Sequence, residues 1–288
     1  MICLCTYRYY NKERRIPVSS KNGWQLCGNG PEAYEKYIVP AFSGAWARDI
    51  VSRARLRKGK RVLDVGCGSG IVARYAYNQL GEDSCIVGID INKIMLKKAS
   101  EIVCPKRSPV ELIFAPADKI PFVKDVFDVV FCQQCMQYFT DRHQALTEIR
   151  RVLAYNGRIY FSVWRPIENF PFYRALYKAL ETYVNQDAAT LLLSAFSLGD
   201  SRKLKHMFKE TGFTHIDITL VNKNMCFSPF DDFLIGGIAA SPFGNEVLAL
   251  SDKKREEMFQ MIRESLSYYI HKSGFAAPME CYVISAQK

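Results

Sequence analysis

No run in these 288 residues reaches the roughly 18 consecutive apolar residues that a membrane-spanning helix needs, so no helical span is expected. The opening Met1–Arg15 has almost no apolar stretch before its charges begin, and does not read as a secretory signal. Its Arg, Lys and Ser against the lone Glu13 resemble a transit peptide in composition, but a ragged start before a core opening near Trp24 is the preferred reading. Histidine is scarce. His143, His206, His215 and His271 each stand in or beside helical segments with no partner motif, so none reads as a general base or a metal ligand. Only one C-x-x-C occurs, Cys132–Cys135, with Cys3 and Cys5 near the start. A structural zinc needs four well-placed ligands, so no metal site is expected. The ten cysteines are spread along the chain, and Cys67, Cys85 and Cys132 lie in or beside apolar runs, where a free thiol acts as a small hydrophobe. A reducing, cytoplasmic setting is expected from this usage.

Acid is also scarce at one end. Residues 1–61 hold 13 Lys/Arg against four Asp/Glu, a local +9, which leaves only +1 of the total +10 for everything after. Much of it lies in Arg53–Arg61. A nucleic-acid patch is one reading. No aromatic interleaving or RNA-binding motif accompanies the charge, so a solvated helix end and a turn into a strand is the preferred one.

What the chain does have is a rhythm. Residues 31–50 read as a helix interrupted at Pro40. Arg61–Val65, Ser84–Asp90, Val110–Phe114, Asp128–Cys132 and Gly157–Val163 read as short buried strands; Ile71–Gln79, Lys93–Cys104 and Arg142–Val152 read as helices between them. Such alternation argues for βαβ units and a parallel sheet. After Trp164 the rhythm changes. Phe170–Tyr183 and Leu204–Glu210 read as helices and Thr214–Leu220 as a strand; Phe230 to about Ser273 is mostly helical, and Cys281–Ser285 is a closing strand. Segments of about 165–200 and 225–275 therefore read as a cap on the ligand side of the sheet.

The strongest local signal is Val62-Leu-Asp-Val-Gly-Cys-Gly-Ser-Gly70, a strand that runs through glycines into a helix. Glycines allow a tight turn and a close ligand approach, and the helix start offers free N–H groups to an anionic group. Asp90 follows Gly70 by 20 residues at the end of the next strand, where a carboxylate can hold ribose hydroxyls. Alone this pair is ambiguous between a dinucleotide and another nucleoside cofactor. The spacing is G-x-G-x-G, not the G-x-G-x-x-G of NAD sites. Asp64 would repel a pyrophosphate but suits a ligand with an ammonium group, which S-adenosylmethionine has.

At these residues the chain resembles class I methyltransferases of the ubiquinone/menaquinone-biosynthesis-like (type 11) family. The resemblance rests on Leu63–Gly70, Val87–Ile91, Ile120-Pro-Phe122 with Phe127–Phe131, and Glu148–Leu153 with Asn156-Gly157. It covers about residues 24–164. It implies an enzyme with a Rossmann-like, doubly wound α/β domain: a seven-stranded, mostly parallel sheet with an antiparallel C-terminal strand and a helical cap. Residues 1–50 would form a helical lid segment and 51–288 the catalytic domain. The cofactor would be S-adenosyl-L-methionine, leaving as S-adenosyl-L-homocysteine. Gly66, Cys67 and Gly68 would pass under its methionine part and Asp64 would face its amino group. Asp90 would hold the ribose, Ile91 and Met95 would flank the adenine, and Ala117 and Asp118 would meet its edge. The chain departs from the family at Pro116, where Asp or Asn is usual.

Gln133 and Gln134 either touch the reacting end or merely finish a strand. Trp24, Gln25 and Tyr34 either fold over the cofactor or belong to an ordinary docking helix. Cys-Gln-Gln-Cys after strand four replaces the Asn/Asp-Pro-Pro-Tyr of amino-directed methyltransferases, which argues against a DNA adenine or a glutamine amide as acceptor. The cysteine spacing does not resemble arsenite methyltransferases. An in-line displacement from a sulfonium needs mainly alignment and exclusion of water, and no residue declares itself as a base. The aromatic-rich cap suits a small hydrophobic or aromatic acceptor rather than nucleic acid. A monomer or a homodimer is compatible with these features.

Overall fold

The computed structural model describes residues 26, 28–103 and 109–288. Its first elements are a short helix α1 (Gly30–Ala33), a π-helix (Tyr34–Ser43) and α2 (Gly44–Ala54). The expected break at Pro40 is instead absorbed by the π-helix. Proline lacks the N–H of an ordinary helical bond, and a wider turn accommodates that loss.

The sheet then builds as β1 (Arg61–Val65), α3 (Ile71–Leu80), β2 (Cys85–Asp90), α4 (Lys93–Val103), β3 (Val110–Phe114), β4 (Phe127–Gln133), α5 (Arg142–Val152) and β5 (Leu153–Trp164). All neighbours among β1–β5 are parallel, in the order β3-β2-β1-β4-β5. The chain moves outward from β1 to β3 and returns to β4 on the other side of β1. That reversal opens a crevice beyond the carboxyl ends of β1 and β4, where ligands bind in open α/β sheets.

Side chains alternate across each strand. Val62, Ile86, Val129 and Phe131 pack against α2, α3 and α4 on one face. Leu63, Val87, Val130, Ile159 and Phe161 pack against α5 and a later helix on the other. The sheet is thereby covered on both faces, which is why its strands read as continuous apolar runs.

Beyond Trp164 come α6 (Pro171–Tyr183), α7 (Gln186–Ser194), α8 (Ser201–Glu210), β6 (Thr214–Phe227), α9 (Phe230–Ala239), α10 (Gly244–Leu248), α11 (Asp252–Ser265), β7 (Ile270–His271) and β8 (Gly274–Gln287). Strand β8 inserts antiparallel between β5 and β6. The main sheet has the seven expected strands with one running against the rest; β7, a two-residue strand on β8, makes an eighth among the described residues.

Two strands are longer than their sequence signals. The expected Thr214–Leu220 continues to Phe227, and the expected Cys281–Ser285 begins at Gly274. Asn222-Lys-Asn224 looks like a turn, but in this edge strand alternate residues face solvent, and each pairs with β8 through Glu280, Met279 and Pro278. Helices α6, α7, α9, α10 and α11 share a third apolar cluster with the π-helix and Trp46. No helix among the described residues is long and apolar enough to cross a membrane.

Candidate active site

The turn after β1 is tied to the end of β2: the N–H groups of Gly66 and Cys67 both donate to the Ile89 carbonyl, at 2.8 and 3.0 Å. Gly66 and Gly68 adopt φ of +69° and +54°, the left-handed region that side chains disfavour. A Cβ on Gly66 would collide with the Cys135 side chain, so this position requires glycine twice over. The loop passes through Gly70, also left-handed, into α3. One cavity of about 270 Å³ lies over this turn.

Two carboxylates face the cavity, Asp64 buried and Asp90 half-buried. Asp64 is 1% exposed and its Oδ2 has no hydrogen-bond partner. Burial, and then repulsion from Asp90, push it up to about 8, against the pull of the Ala73 N–H. Asp90 is raised by burial too, and held back by N–H donors: Gly68 to Oδ2 and Asn92 to Oδ1, both at 2.8 Å. An orphaned buried carboxylate oxygen calls for a cationic or hydrogen-bond-donating ligand. A ligand with an ammonium group and a ribose fits this donor and acceptor set. Among the described residues no group of three or more His, Cys, Asp or Glu is placed to hold a metal ion.

Eleven of the twelve residues singled out from the sequence line this cavity: Tyr34, Asp64, Gly66, Cys67, Gly68, Asp90, Ile91, Met95, Ala117, Asp118 and Gln133. The twelfth, Trp24, lies outside the described residues, as do Gln25, Cys3 and Cys5. Met95, on α4, is buried with its Cε beside Gly68. Pro116 lines the cavity beside Ala117 and Asp118, and the Asp118 carbonyl accepts from Gln144 Nε2 at 3.5 Å.

The paired glutamines part ways. Gln133 Nε2 donates to the Ser43 carbonyl at 3.1 Å and to Ser43 Oγ at 3.4 Å, while its Oε1 is buried without a partner. Gln134, at φ +43°, donates its N–H to the Ser162 carbonyl and its Nε2 to Cys281 Sγ. Cys135 sits over Gly66, and hydrogen bonding with Cys132 together with burial pushes its thiol well above the ordinary range. Such a thiol is a poor nucleophile at neutral pH. Cys67 and Cys132 are free and buried as expected, whereas Cys85 is disulfide-bonded and not the free thiol its setting suggested.

Residues that sequence reasoning missed complete the site. Asn92 caps α4, accepting from the N–H groups of Ile94 and Met95, and its Nδ2 donates to the Leu26 carbonyl. The D-x-N spacing Asp90-Ile-Asn92 before a helix was a legible capping signal. Ser43, Tyr138 and Tyr173 come from segments far apart in the chain, and nothing local marks them. The N-terminal helices are pinned across the crevice by Arg74 Nη2 on both Glu35 oxygens (2.7 and 2.9 Å) and by Lys98 on Glu32 (2.9 Å).

None of the four histidines lines the cavity; His206 pairs with Glu210 on the surface. The basic stretch 53–61 is the end of α2 and the turn into β1, with Arg53 on Asp49 and Lys60 and Arg61 on Asp128. Arg55, Arg57 and Lys58 lie exposed in that turn.

Known proteins bear on this geometry. The ubiquinone/menaquinone biosynthesis C-methyltransferase of Paraburkholderia xenovorans is 32% identical over 128 residues, 43% of this chain and 53% of that protein. The chain thus spans about half the length of the first such relatives it matches. The protein of the same name from Laribacter hongkongensis is 31% identical over 183 residues, 60% of this chain and 74% of that one. Among solved structures, a protein from Bacillus halodurans C-125 described as a methyltransferase superposes with a TM-score of 0.57 at 19% identity, over 84% of this chain and 98% of that one. A phosphoethanolamine N-methyltransferase of Haemonchus contortus, bound to S-adenosylhomocysteine, gives 0.58 at 20% identity, over 90% of this chain and 57% of that one. Both likenesses concern the fold. A family model described as a methyltransferase domain matches residues 56–212, which run from the turn before β1 to the end of α8 and include the glycine turn, both carboxylates and the end of β4. By that match the chain belongs to the class I methyltransferases, whose methyl donor is S-adenosylmethionine.

Proposed function

We propose that the chain transfers a methyl group from S-adenosylmethionine to a small, apolar or aromatic acceptor held between the glycine turn and the helices after Trp164. The observation that carries this reading is one cavity with two unlike ends. Asp64, Asp90 and the glycine turn line one; Phe172, Tyr173, Phe196 and Phe243 line the other.

When bound, S-adenosylmethionine supplies a methyl already activated on a sulfonium, to be displaced in line. The protein's share is alignment and exclusion of water. In this reading Gly66, Cys67 and Gly68 let the methionine part lie against backbone, and Asp64 pairs with its ammonium. Asp90, held by two N–H groups, accepts from the ribose hydroxyls. Ile91 and Met95 sandwich the adenine beside Ala117 and Asp118. Gln133 offers its unpaired Oε1 near the reacting end, while Ser43 fixes its amide. Residues up to about 50 act as a lid over 51–288, and the insertions of about 165–200 and 225–275 as the acceptor cap. The curated relatives are named for C-methylation in quinone biosynthesis, which makes a quinol ring the first acceptor to try.

Calorimetric titration with S-adenosylmethionine and S-adenosylhomocysteine tests the reading. The native chain should bind both. Asp90→Ala, which removes an acceptor from two N–H groups and the ribose, should weaken both by about 100-fold. Absence of binding to the native chain would sink the assignment.

A further inference from the structure

At the aromatic end of the cavity stand three tyrosines, of which only Tyr34 is a cofactor candidate from the sequence. Tyr34 from the π-helix, Tyr138 after β4 and Tyr173 from α6 all line it. Their hydroxyls are close enough to disfavour one another's ionisation: Tyr34 and Tyr173 act on Tyr138, and Tyr34 acts on Tyr173. Burial is the larger cause in each, and it lifts Tyr34 to about 12. All three therefore stay neutral and remain hydrogen-bond donors at physiological pH.

Their partners differ in a useful way. The Tyr34 hydroxyl is 2.9 Å from Ser43 Oγ, and Ser43 is in turn held by Gln133 at the end of β4. This run fixes Tyr34 from the sheet. Tyr138 is bonded to the Gln137 side chain. The Tyr173 hydroxyl has no hydrogen-bond partner among the described residues, although its ring is clamped edge-on by Phe172 and Phe196, both at 5.3 Å. A ring fixed by its neighbours that presents a hydroxyl without a protein partner to a mainly apolar cavity is a recognition element for a polar atom.

The charge of the lining narrows which atom. Among the described residues no Lys, Arg, His or Glu lines the cavity. Its charged residues are Asp64 and Asp90 at the glycine turn, Asp118, and Asp141, whose carboxylate caps α5 by accepting from the Gln144 N–H. A carboxylate or phosphate on the acceptor would meet several aspartates and no cation among the described lining residues. An ammonium at the tyrosine end would be desolvated, and the carboxylate that acts on Tyr34, Glu35, is already paired with Arg74.

We propose that Tyr173, flanked by Tyr34 and Tyr138, anchors the oxygen of an uncharged acceptor that bears a hydroxyl or carbonyl on an apolar body. This rests on the reading that the same cavity holds S-adenosylmethionine.

The test uses the full chain loaded with S-adenosylhomocysteine at neutral pH and four matched probes: para-pentylphenol, pentylbenzene, para-pentylbenzoate and para-pentylbenzylammonium. The phenol should bind tightest, with both ions at least about 10-fold weaker. Tyr173→Phe, which keeps the ring and the packing, should weaken the phenol by about 10-fold and leave pentylbenzene unchanged. Tyr34→Phe should act in the same direction. Binding of either ion as tightly as the phenol would overturn the proposal. So would a phenol affinity indifferent to Tyr173→Phe, or no probe binding to a chain that does bind S-adenosylhomocysteine. Failure of S-adenosylhomocysteine to bind would instead overturn the cofactor reading beneath it.

Discussion

The two ends of the cavity are built from different kinds of chain. At the sheet end the groups come from consecutive turns, Asp64 to Gly70 and Asp90 to Met95, and backbone hydrogen bonds hold them. Its core is mainly aliphatic: Leu63, Val65, Val87, Ile89, Val130. At the helical end the groups come from the π-helix, α6, α9 and the segments that carry Tyr138, Phe196 and Phe243, and ring contacts hold them. Phe172 alone meets Tyr173, Phe230, Phe233 and Phe275 edge-on. A site that must grip one invariant small molecule can be written into a few residues of strand and turn. A site shaped for a particular acceptor is assembled from packing, and its parts carry no local signature.

The sharpest way to break this contrast is to damage the helical end alone. Phe172→Ala opens a cavity at the centre of the aromatic cluster and should cost about 3–5 kcal/mol in chemical denaturation. S-adenosylhomocysteine affinity at temperatures where the variant is folded should stay within about threefold of native, since Phe172 belongs to the apolar cluster of the helices and not to that of the sheet. A parallel collapse of cofactor binding would show the two ends to be one cooperative unit.

The converse is Gly66→Ala. It forces a side chain to φ +69° and against Cys135. Strain of this kind costs about 1–3 kcal/mol, so S-adenosylhomocysteine binding should fall by about 10- to 100-fold. Probe binding at the tyrosine end, measured without cofactor, should change less.

A smaller effect comes from Asp64. Its folded carboxyl titrates near 8, against about 3.9 for an unfolded aspartate. The folded chain holds that proton longer, so this group lowers the stability of the ligand-free protein as pH rises between the two values, and its influence levels off above 8. Asp64→Asn should flatten that part of the Tm profile. In the native chain S-adenosylmethionine affinity should rise as pH approaches 8, because the ionised carboxylate is the form that pairs with an ammonium. Asp64→Asn should lose that rise. An unchanged pH profile would mean that Asp64 does not face the cofactor's charge.

Smallest is the tie between the N-terminal helices and α3. Glu35→Gln replaces a largely buried pair with Arg74 by a neutral contact and should cost about 1 kcal/mol. Its reading is kinetic: faster release of S-adenosylhomocysteine in stopped flow, with little change in the melt.

This contrast also explains what the sequence could and could not say. The glycine turn, Asp90 and the strands β1, β2 and β4 were legible because each is a short buried run closed by residues with special backbone freedom. Met95 and Ala117 followed by position from the family resemblance, and both line the cavity. Tyr138 and Tyr173 were not legible, because an aromatic in a cap helix looks the same whether it faces a core or a ligand. Ser43 was hidden for a different reason: Pro40 suggested a broken helix, whereas the π-helix carries the chain on and brings Ser43 to Gln133. The long β6–β8 ladder was masked by polar residues that an edge strand tolerates.

That ladder has a consequence for how such a protein changes over time. Strands β6 and β8 pair from Thr214↔Gln287 out to Phe227↔Phe275, so the chain leaves the sheet and returns to it at adjacent points. Everything between, from α9 to β7, is in topological terms the loop of one hairpin. Closing a longer loop costs little more than closing a short one, about 0.6 kcal/mol for each doubling. The segment from α9 to β7, which supplies Phe233, Ile238 and Phe243 to the cavity, can therefore be lengthened, shortened or exchanged whole, with the sheet and its glycine turn left in register.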